Sequence, residues 1–170
     1  MKIMITGNLG YVGPSVIKQL RSSYPNAELI GLDIGIFAHC LTGAKFLPER
    51  IIDTQIYKDV RNVTKVDFQG ISTVVHLAAI SNDPMGNSFE RITDEINYQS
   101  SLKIAHLAKN AGVGNYVFAS SCSVYGASAA RPKKEEDELN PLTAYAKSKI
   151  DTELGLKILA SDDFIVTCLR

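Results

Sequence analysis

A tyrosine and a lysine lie four residues apart in the segment NPLTAYAKSK, where Tyr145 and Lys149 fall in a stretch of helical character. Residues four apart share one face of a helix, with Cβ atoms about 5–6 Å apart. An ammonium group beside a phenol favours the phenolate and lowers the phenol pKa from about 10. This arrangement would allow Tyr145 to act as a general base near neutral pH. The open alternative is a simple pair on a solvent-exposed helix face.

Three serines provide hydroxyl groups that would act with this pair. Ser120, Ser121 and Ser123 follow the apolar run 115–119, which is predicted as a strand. In open parallel sheets, ligands bind at the carboxyl ends of the strands. A serine there would hydrogen-bond a substrate hydroxyl or carbonyl while the phenolate takes a proton. The alternative is that these hydroxyls only satisfy backbone groups of a loop.

A glycine-rich segment, TGNLGYVG, follows the first apolar run and contains Gly7, Gly10 and Gly13 in a GxxGxxG spacing. A strand, a glycine turn and a helix N-terminus present backbone N–H groups to a pyrophosphate. Asp33 lies 20 residues after Gly13, where a carboxylate accepts hydrogen bonds from an adenosine ribose. A carboxylate there would repel a 2′-phosphate, which favours NAD over NADP. A tight turn without a ligand, with Asp33 as a turn residue, is the alternative.

The elements that would position these residues alternate along the chain. Apolar runs predicted as strands are 2–6, 28–32, 51–57, 73–77, 115–119 and 164–168. Stretches predicted as helices are 11–22, 88–111 and 141–160, the last with Asn140 as N-cap and Pro141 in the first turn. This alternation predicts an α/β fold: a doubly wound parallel sheet of Rossmann type with helices on both faces. The charged stretch 127–140 is predicted as a solvated loop.

Composition limits the class of protein and its partners. The 170 residues are 45% hydrophobic and 21% charged, as in a folded globular domain. Lys+Arg and Asp+Glu are both 18, so neither nucleic acid nor an anionic membrane is expected as a partner. Cys40, Cys122 and Cys168 are widely separated, so we expect no disulfide scaffold and no metal site. No apolar run is long enough to cross a bilayer, and these features together predict a cytoplasmic protein.

Together these residues resemble the extended short-chain dehydrogenase/reductase family, and within it the NAD-dependent nucleotide-sugar epimerases and dehydratases. The motifs occur in the family's order: TGNLGYVG, Asp33, KDVRN, HLAA, INY, SSCSVYG and YAKSK. The resemblance covers residues 1–170 and implies a NAD-binding Rossmann domain that carries the catalytic groups. Family members are much longer, which implies that a C-terminal substrate-binding part lies outside these residues.

The resemblance also implies roles for individual residues. Those that would lie against the pyrophosphate of NAD are Gly7, Gly10, Tyr11, Val12 and Gly13. The other residues implied to contact NAD are Asp33 at the adenosine ribose, Asp59 and Val60 beside the adenine, Leu77, Ala78 and Ala79 along the cofactor, Asn97, Tyr145 and Lys149. The residues that match the catalytic positions are Ser121, Tyr145 and Lys149.

The activity that the resemblance implies is epimerisation at C4 of a nucleotide hexose. Tyr145 would remove the 4-hydroxyl proton while a hydride passes to NAD⁺, and the transient 4-keto sugar would take the hydride back on its other face. Ser121 would bridge the hydroxyl, and Lys149 would hold the nicotinamide ribose. A reductase or dehydrogenase with net redox, and a NAD-sensing module without catalysis, are the alternatives.

Two positions depart from the patterns of related enzymes. The 4,6-dehydratases carry an Asp-Glu pair immediately after the catalytic serine or threonine, whereas Cys122 and Ser123 stand there in this chain, which disfavours dehydration. Asn82 and Asp83 make the segment after HLAAI unusually polar, and they would shape a sugar pocket or belong to a loop. The resemblance finally implies a homodimer formed through the predicted helices 88–111 and 141–160.

Overall fold

Six parallel strands form one sheet, and they are β1 (Lys2–Thr6), β2 (Glu28–Asp33), β3 (Thr54–Tyr57), β4 (Thr73–His76), β5 (Asn115–Ala119) and β6 (Ile165–Leu169). The structure is a computed structural model that describes residues 1–37, 48–81, 89–127 and 131–170. The strand order is β3-β2-β1-β4-β5-β6, with every neighbouring pair parallel. This is the Rossmann order, in which the chain reverses its direction of travel across the sheet between β1 and β4. The predicted fold class is confirmed.

Helices cover both faces of the sheet. They are α1 (Gly13–Ser23), α2 (Glu90–Thr93), a π-helix (Asp94–Gln99) that runs directly into α3 (Ser100–Asn110), and α4 (Ala144–Leu159). Short 3₁₀ helices occur at Pro48–Ile51, Val60–Asn62, Lys65–Phe68 and Cys122–Tyr125. Among the residues that the structure describes, no helix has the length and apolar character needed to cross a membrane.

Two apolar cores lie on opposite faces of the sheet because side chains alternate along each strand. Ile3 and Ile5 of β1 belong to the core that contains Ile17 of α1. Met4, between them, belongs to the opposite core, which contains Ile104 of α3. Burial on both faces explains why the strands appear as nearly continuous apolar runs in the sequence.

The prediction of a strand over 51–57 is wrong in its first half. Ile51 ends a 3₁₀ helix, and β3 begins only at Thr54. Asp53 between them is held by Leu29: its N–H donates to the Leu29 carbonyl at 2.9 Å, and its carboxylate accepts the Leu29 N–H at 2.7 Å. This side-chain bridge replaces the regular ladder at the start of the strand.

The prediction that Asn140 caps a helix starting at Pro141 is also wrong. The N-cap of α4 is Thr143, whose side chain accepts a hydrogen bond from the N–H of Ala146 at 3.1 Å. Asn140 instead donates its N–H to the carbonyl of Val124 at 3.0 Å, which keeps it in the preceding loop. Asn140 and Thr143 both have side chains that can cap a helix. Because the long-range bond to Val124 holds Asn140 in the loop, Thr143 is the cap.

The other predicted boundaries agree with the structure to within two residues. The predicted helix 88–111 corresponds to α2, the π-helix and α3 in continuous succession. Of the predicted loop 127–140, the described part is irregular chain and turns. The expectations for Cys40, Asn82, Asp83, Ser88 and residues 128–130 lie outside the described residues.

Candidate active site

The glycine turn joins β1 to α1 at the carboxyl edge of the sheet. Gly7 has φ +73°, and a Cβ atom there would lie 2.6 Å from the backbone nitrogen of Ala78. At Gly13, a Cβ atom would lie 2.0 Å from the carbonyl oxygen of Asn8. Both distances are far below van der Waals contact, so only glycine allows the turn to close this tightly.

The outer part of the turn faces solvent. Tyr11 is 100% exposed, Val12 is about half exposed, and the N–H of Gly10 donates to the Gly7 carbonyl at 3.1 Å. The N-terminus of α1 begins beside them, and the glycines leave a cradle of backbone without side chains. A phosphate group fits such a cradle because backbone N–H groups and the helix dipole favour an anion.

Asp33 lies at the end of β2 next to this turn. Its Oδ2 accepts the N–H of Leu9 at 3.1 Å, and its Oδ1 accepts the N–H of Gly35 at 2.7 Å. A carboxylate has about four lone-pair positions, so both oxygens can still accept hydrogen bonds from a ligand hydroxyl. The adenosine ribose of a dinucleotide on the turn fits this carboxylate.

A pair of amides missed by the sequence analysis supports the turn from below. Asn8 is fully buried, its Nδ2 donates to Gln55 Oε1 at 2.7 Å, and Gln55 Nε2 donates back to Asn8 Oδ1 at 3.3 Å. The pair covers Gly31, where a Cβ atom would lie 2.4 Å from Asn8 Nδ2. A glycine inside a strand was the available indication of such a close approach.

Asp59 and Val60 follow β3 on the same edge of the sheet. Asp59 caps the 3₁₀ helix Val60–Asn62 by accepting the backbone N–H of Arg61 at 2.8 Å, and its carboxylate also accepts from the Arg61 guanidinium at 2.7 Å. Hydrogen bonding from Arg61 lowers the pKa of Asp59 below its usual value. The carboxylate therefore stays ionised, and Val60 beside it is buried.

Leu77, Ala78 and Ala79 continue from β4 along the edge and are half-buried. The chain beyond them is held by Asn97 of the π-helix, which is fully buried. Asn97 Oδ1 accepts the N–H of Ile80 at 2.8 Å, and its Nδ2 donates to the Ile80 carbonyl at 2.9 Å. Its amide is therefore used inside the protein, where it fixes the segment that follows β4.

Ser121 follows β5 and is the N-cap of the 3₁₀ helix Cys122–Tyr125. Its Oγ accepts from the backbone N–H of Ser123 at 3.2 Å and from the hydroxyl of Ser123 at 2.9 Å. A serine hydroxyl has one proton to donate as well as lone pairs to accept. These two bonds orient the oxygen of Ser121 and leave its proton as a donor.

Lys149 is buried, with an exposed fraction of 2%, so the solvent-exposed helix pair is ruled out. Its Nζ donates to the carbonyl of Ala119 at 2.7 Å and lies 5.5 Å from the centre of the Tyr145 ring. Burial lowers the pKa of Lys149 to about 8, and the charge of Glu153 acts in the opposite direction. The ammonium therefore lies beside the phenol and at the strand end that carries Ser121.

A buried histidine of β4, also missed by the sequence analysis, connects β1 to α3. His76 Nδ1 lies 2.6 Å from Thr6 Oγ1 and its Nε2 lies 2.8 Å from Ser101 Oγ, while Ser101 donates to the Asn97 carbonyl at 2.6 Å. Burial and the charge of Lys149 lower the pKa of His76 to about 3, so the ring is neutral. Since the Ser101 proton goes to Asn97, Nε2 of the ring donates and Nδ1 accepts from Thr6.

Comparison with known proteins identifies the family. Residues 3–170 match the model of the NAD dependent epimerase/dehydratase family. UDP-glucose 4-epimerase of Pasteurella multocida (strain Pm70) is 29% identical over 186 residues, which is 100% of this chain and 52% of that protein. The chain thus spans about half the length of the curated relatives it matches.

Solved structures give the same result. A NAD-dependent NDP-hexosamine 5,6-dehydratase involved in tunicamycin biosynthesis superposes with a TM-score of 0.84 at 26% identity, covering 99% of this chain and 54% of that one. MoeE5 in complex with UDP-glucose and NAD gives a TM-score of 0.83 at 27% identity, covering 100% and 54%. The glycine turn, the carboxylate at the end of β2 and these matches lead to one conclusion: the chain belongs to the NAD-dependent epimerase/dehydratase family.

Proposed function

We propose that the complete protein is a NAD-dependent nucleotide-sugar epimerase that acts at C4 of a nucleotide hexose through a 4-keto intermediate. The observation that carries the proposal is the buried Lys149 ammonium, 5.5 Å from the ring of Tyr145 and bonded to the last residue of β5, directly before the serine turn. Relatives that are UDP-glucose 4-epimerases support the choice of reaction.

In this proposal the glycine turn and the end of β2 hold the cofactor. Gly7, Gly10 and Gly13 leave room for the pyrophosphate at the N-terminus of α1, with Tyr11 and Val12 beside it. The Asp33 carboxylate, already oriented by two backbone N–H groups, would accept from the adenosine ribose.

The remaining cofactor contacts lie further along the same edge. Asp59 and Val60 would border the adenine, and the half-buried segment 77–79 would line the cofactor between the turn and the reacting end. Asn97 would contribute indirectly, because its amide holds the backbone of Ile80 rather than facing the open edge.

Three side chains would do the chemistry. Bound NAD⁺ would supply the acceptor for the hydride from C4 of the sugar. Tyr145 would take the proton of the 4-hydroxyl, and the Lys149 ammonium would stabilise the phenolate by its charge. Ser121 would hydrogen-bond the same sugar oxygen, since its hydroxyl is held in place by Ser123.

A reductase or dehydrogenase with net redox would use the same three residues and is the second candidate. Dehydration is less well supported, although the relatives include dehydratases, because the residues after Ser121 are Cys122 and Ser123. Neither is a carboxylate, and Ser123 donates its hydroxyl proton to Ser121. The retention of a buried lysine beside a tyrosine argues against a NAD-sensing module without catalysis.

We further propose that residues 1–170 form the NAD-binding part and that a separate part of the complete protein completes the sugar site. The length of the relatives supports this division. A homodimer through α4 and the helical succession from α2 to α3 is also proposed, because α4 exposes Leu154 and Ile158, the latter at 85%. Sedimentation of the complete protein at micromolar concentration should give a dimer that Ile158→Glu dissociates, and a wild-type monomer would contradict it.

The test of function uses the complete protein incubated with UDP-, dTDP-, GDP- and CDP-hexoses. Products are separated by chromatography while NADH absorbance is followed. A new isomer without a net absorbance change supports the epimerase, and Tyr145→Phe should lower the rate by about 10²–10⁴-fold. Product that forms only with stoichiometric consumption of added NADH or NAD⁺ would contradict the epimerase and support the reductase or dehydrogenase.

A further inference from the structure

Glu153 lies at a point where three separate segments of the chain meet. It belongs to α4, and its side chain is only 11% exposed. Its carboxylate accepts a hydrogen bond from the hydroxyl of Ser120, which follows β5. It also accepts from Arg170, which follows β6, with Arg170 Nη2 2.6 Å from Oε2 and Nε 3.1 Å from both oxygens. These bonds fix the carboxylate in position.

The position of Glu153 relates directly to Lys149. The two residues are four apart in α4, so they share one face of the helix. Lys149 donates to the carbonyl of Ala119, and Ser120, which holds Glu153, is the next residue. The ammonium and the carboxylate are therefore anchored to neighbouring residues at one strand end.

The other described groups next to Lys149 carry no negative charge, although the Ala119 carbonyl and two aromatic rings favour the ammonium as neutral partners. From β4, His76 is neutral, because burial and the Lys149 charge lower its pKa to about 3. From β5, the Phe118 ring lies 4.6 Å from Nζ, and from α4, the Tyr145 ring lies 5.5 Å away. From the π-helix, the neutral amide of Asn97 reaches α4, where its Nδ2 lies 3.3 Å from Ser148 Oγ.

Burial and Glu153 act on the lysine in opposite directions. Burial lowers the pKa of Lys149 to about 8, and Glu153 raises it. Arg170 carries a positive charge nearby, but it is paired with Glu153, which raises the pKa of Arg170 above its usual value. Among the described groups that act on the Lys149 pKa through their charge, Glu153 is the one that favours the ammonium.

We propose that Glu153 is a positioning residue: fixed by Ser120 and Arg170, its carboxylate keeps Lys149 an ammonium ion beside Tyr145. The proposal rests on the proposed function, because a neutral lysine would not stabilise the phenolate that the reaction needs. Glu153 itself does not touch the reacting atoms. It acts through the charge of Lys149.

The direct test measures the Lys149 pKa in the complete protein without cofactor. Lysine labelled with ¹³C at Cε is followed by NMR across pH, and Lys149→Arg assigns the signal. Glu153→Gln keeps an acceptor for Ser120 but removes the charge, and should lower the Lys149 pKa by about 1 unit or more. Ser120→Ala keeps the charge and should change the pKa much less. An unchanged pKa in Glu153→Gln overturns the proposal.

A second pair of variants covers the case in which Glu153→Gln fails to fold, because it leaves the Arg170 cation half-buried and unpaired. Glu153→Gln with Arg170→Gln removes both charges and should still lower the Lys149 pKa, but by less than the single variant, because loss of the nearby cation acts in the opposite direction. Arg170→Gln alone removes the nearby cation and keeps the carboxylate, so the pKa should not fall. Equal shifts in the double variant and in Arg170→Gln alone would overturn the assignment to Glu153.

The pH profile of activity provides a readout that a purely structural role would not move. In Glu153→Gln the alkaline limb of kcat/KM should shift to lower pH by the same amount as the Lys149 pKa. A shift of about 1 unit makes the variant about fivefold slower at pH 8 and nearly normal at pH 6. A uniform loss at all pH values would indicate only a structural role.

The outcomes for the two proposals are separable. If the wild type converts no sugar nucleotide, the proposed function fails, while the NMR titration still tests the link between Glu153 and Lys149. If the wild type is active and Tyr145→Phe is not, but Glu153→Gln changes neither the Lys149 pKa nor the alkaline limb, the inference about Glu153 fails alone.

Discussion

The glycine turn and the proposed catalytic site are held in place by different kinds of interaction. Around β1, β2 and β3, the glycine turn closes by direct backbone contact at Gly7, and neutral amides of Asn8 and Gln55 support it. Around β5, β6 and α4, buried or half-buried ions do the same work: Lys149 on a strand carbonyl, and Glu153 with Arg170. The glycine turn therefore depends on steric fit, whereas the proposed catalytic site depends on charge and hence on pH.

The largest effect that would sharpen this contrast is the pH dependence of stability caused by Lys149. Its pKa is lowered from 10.5 to about 8, so between these values the unfolded chain binds more protons at this lysine than the folded protein. The contribution of Lys149 to the unfolding free energy should therefore rise with pH across that window, by about 3 kcal/mol in total, whereas the raised pKa of Cys168 acts in the opposite direction above about pH 9, so the effect is the difference between wild type and Lys149→Met. Denaturant unfolding at a series of pH values measures it.

The matched variants for this prediction are Lys149→Met and Lys147→Met. Lys149→Met should lose the alkaline rise, whereas Lys147→Met, an exposed lysine on the same helix, should keep it. Identical pH curves for wild type and Lys149→Met would show that burial of this ammonium costs no stability. The contrast between the glycine turn and the proposed catalytic site would then fail.

The next effect concerns steric fit at the glycine turn. Gly7→Ala combines a left-handed backbone with a Cβ atom 2.6 Å from the Ala78 nitrogen, so we expect a loss of more than about 2 kcal/mol of unfolding free energy and weaker NAD binding. Gly112→Ala is the control, since Gly112 has φ +85° but nothing within 4 Å of the added atom.

Gly112→Ala should cost about 1–2 kcal/mol and leave NAD binding unchanged. Denaturant unfolding and calorimetric titration of NAD with both variants separate the backbone cost from the clash. Equal losses in the two variants would mean that the close approach of Gly7 to Ala78 contributes nothing.

The smallest effect concerns the amide pair beneath the turn. Asn8→Ala and Gln55→Ala should each lower the unfolding free energy by about 1–3 kcal/mol, because the first takes the partner from the half-buried Gln55 amide and the second takes it from the buried Asn8 amide. The double variant should cost less than the sum, with a coupling of about 1 kcal/mol in a double-mutant cycle. The coupling should be the same at pH 6 and pH 9, since neither group titrates. Simple additivity would show that the two amides do not support each other.

The sequence predicted best those features that depend on residues close together in the chain. The six strands and the glycine turn were recognisable because apolar runs and glycine spacing are properties of neighbouring residues. The cap of α4 was misassigned because Asn140 and Thr143 both have capping side chains, and the choice depends on a bond from Asn140 to Val124. Local preference could not decide between them.

The residues that the sequence analysis missed share one property: their partners are distant in the chain. Asn8 and Gln55 are 47 residues apart, and Thr6 and His76 are 70 apart. Glu153 and Arg170 are 17 apart and lie on different elements. No spacing rule connects such residues, because parallel strands bring them together only after the intervening helices cross over the sheet.

By itself, the sequence determined the α/β fold, the glycine turn and the tyrosine–lysine pair, since each follows from residue types at short separations. Tertiary structure alone decided the electrostatic state of that pair. Lys149 is buried beside Tyr145, where burial lowers its pKa and a fixed carboxylate opposes that fall, whereas the same pair on an exposed helix face would lie in water. Both conditions come from packing α4 against the ends of β5 and β6.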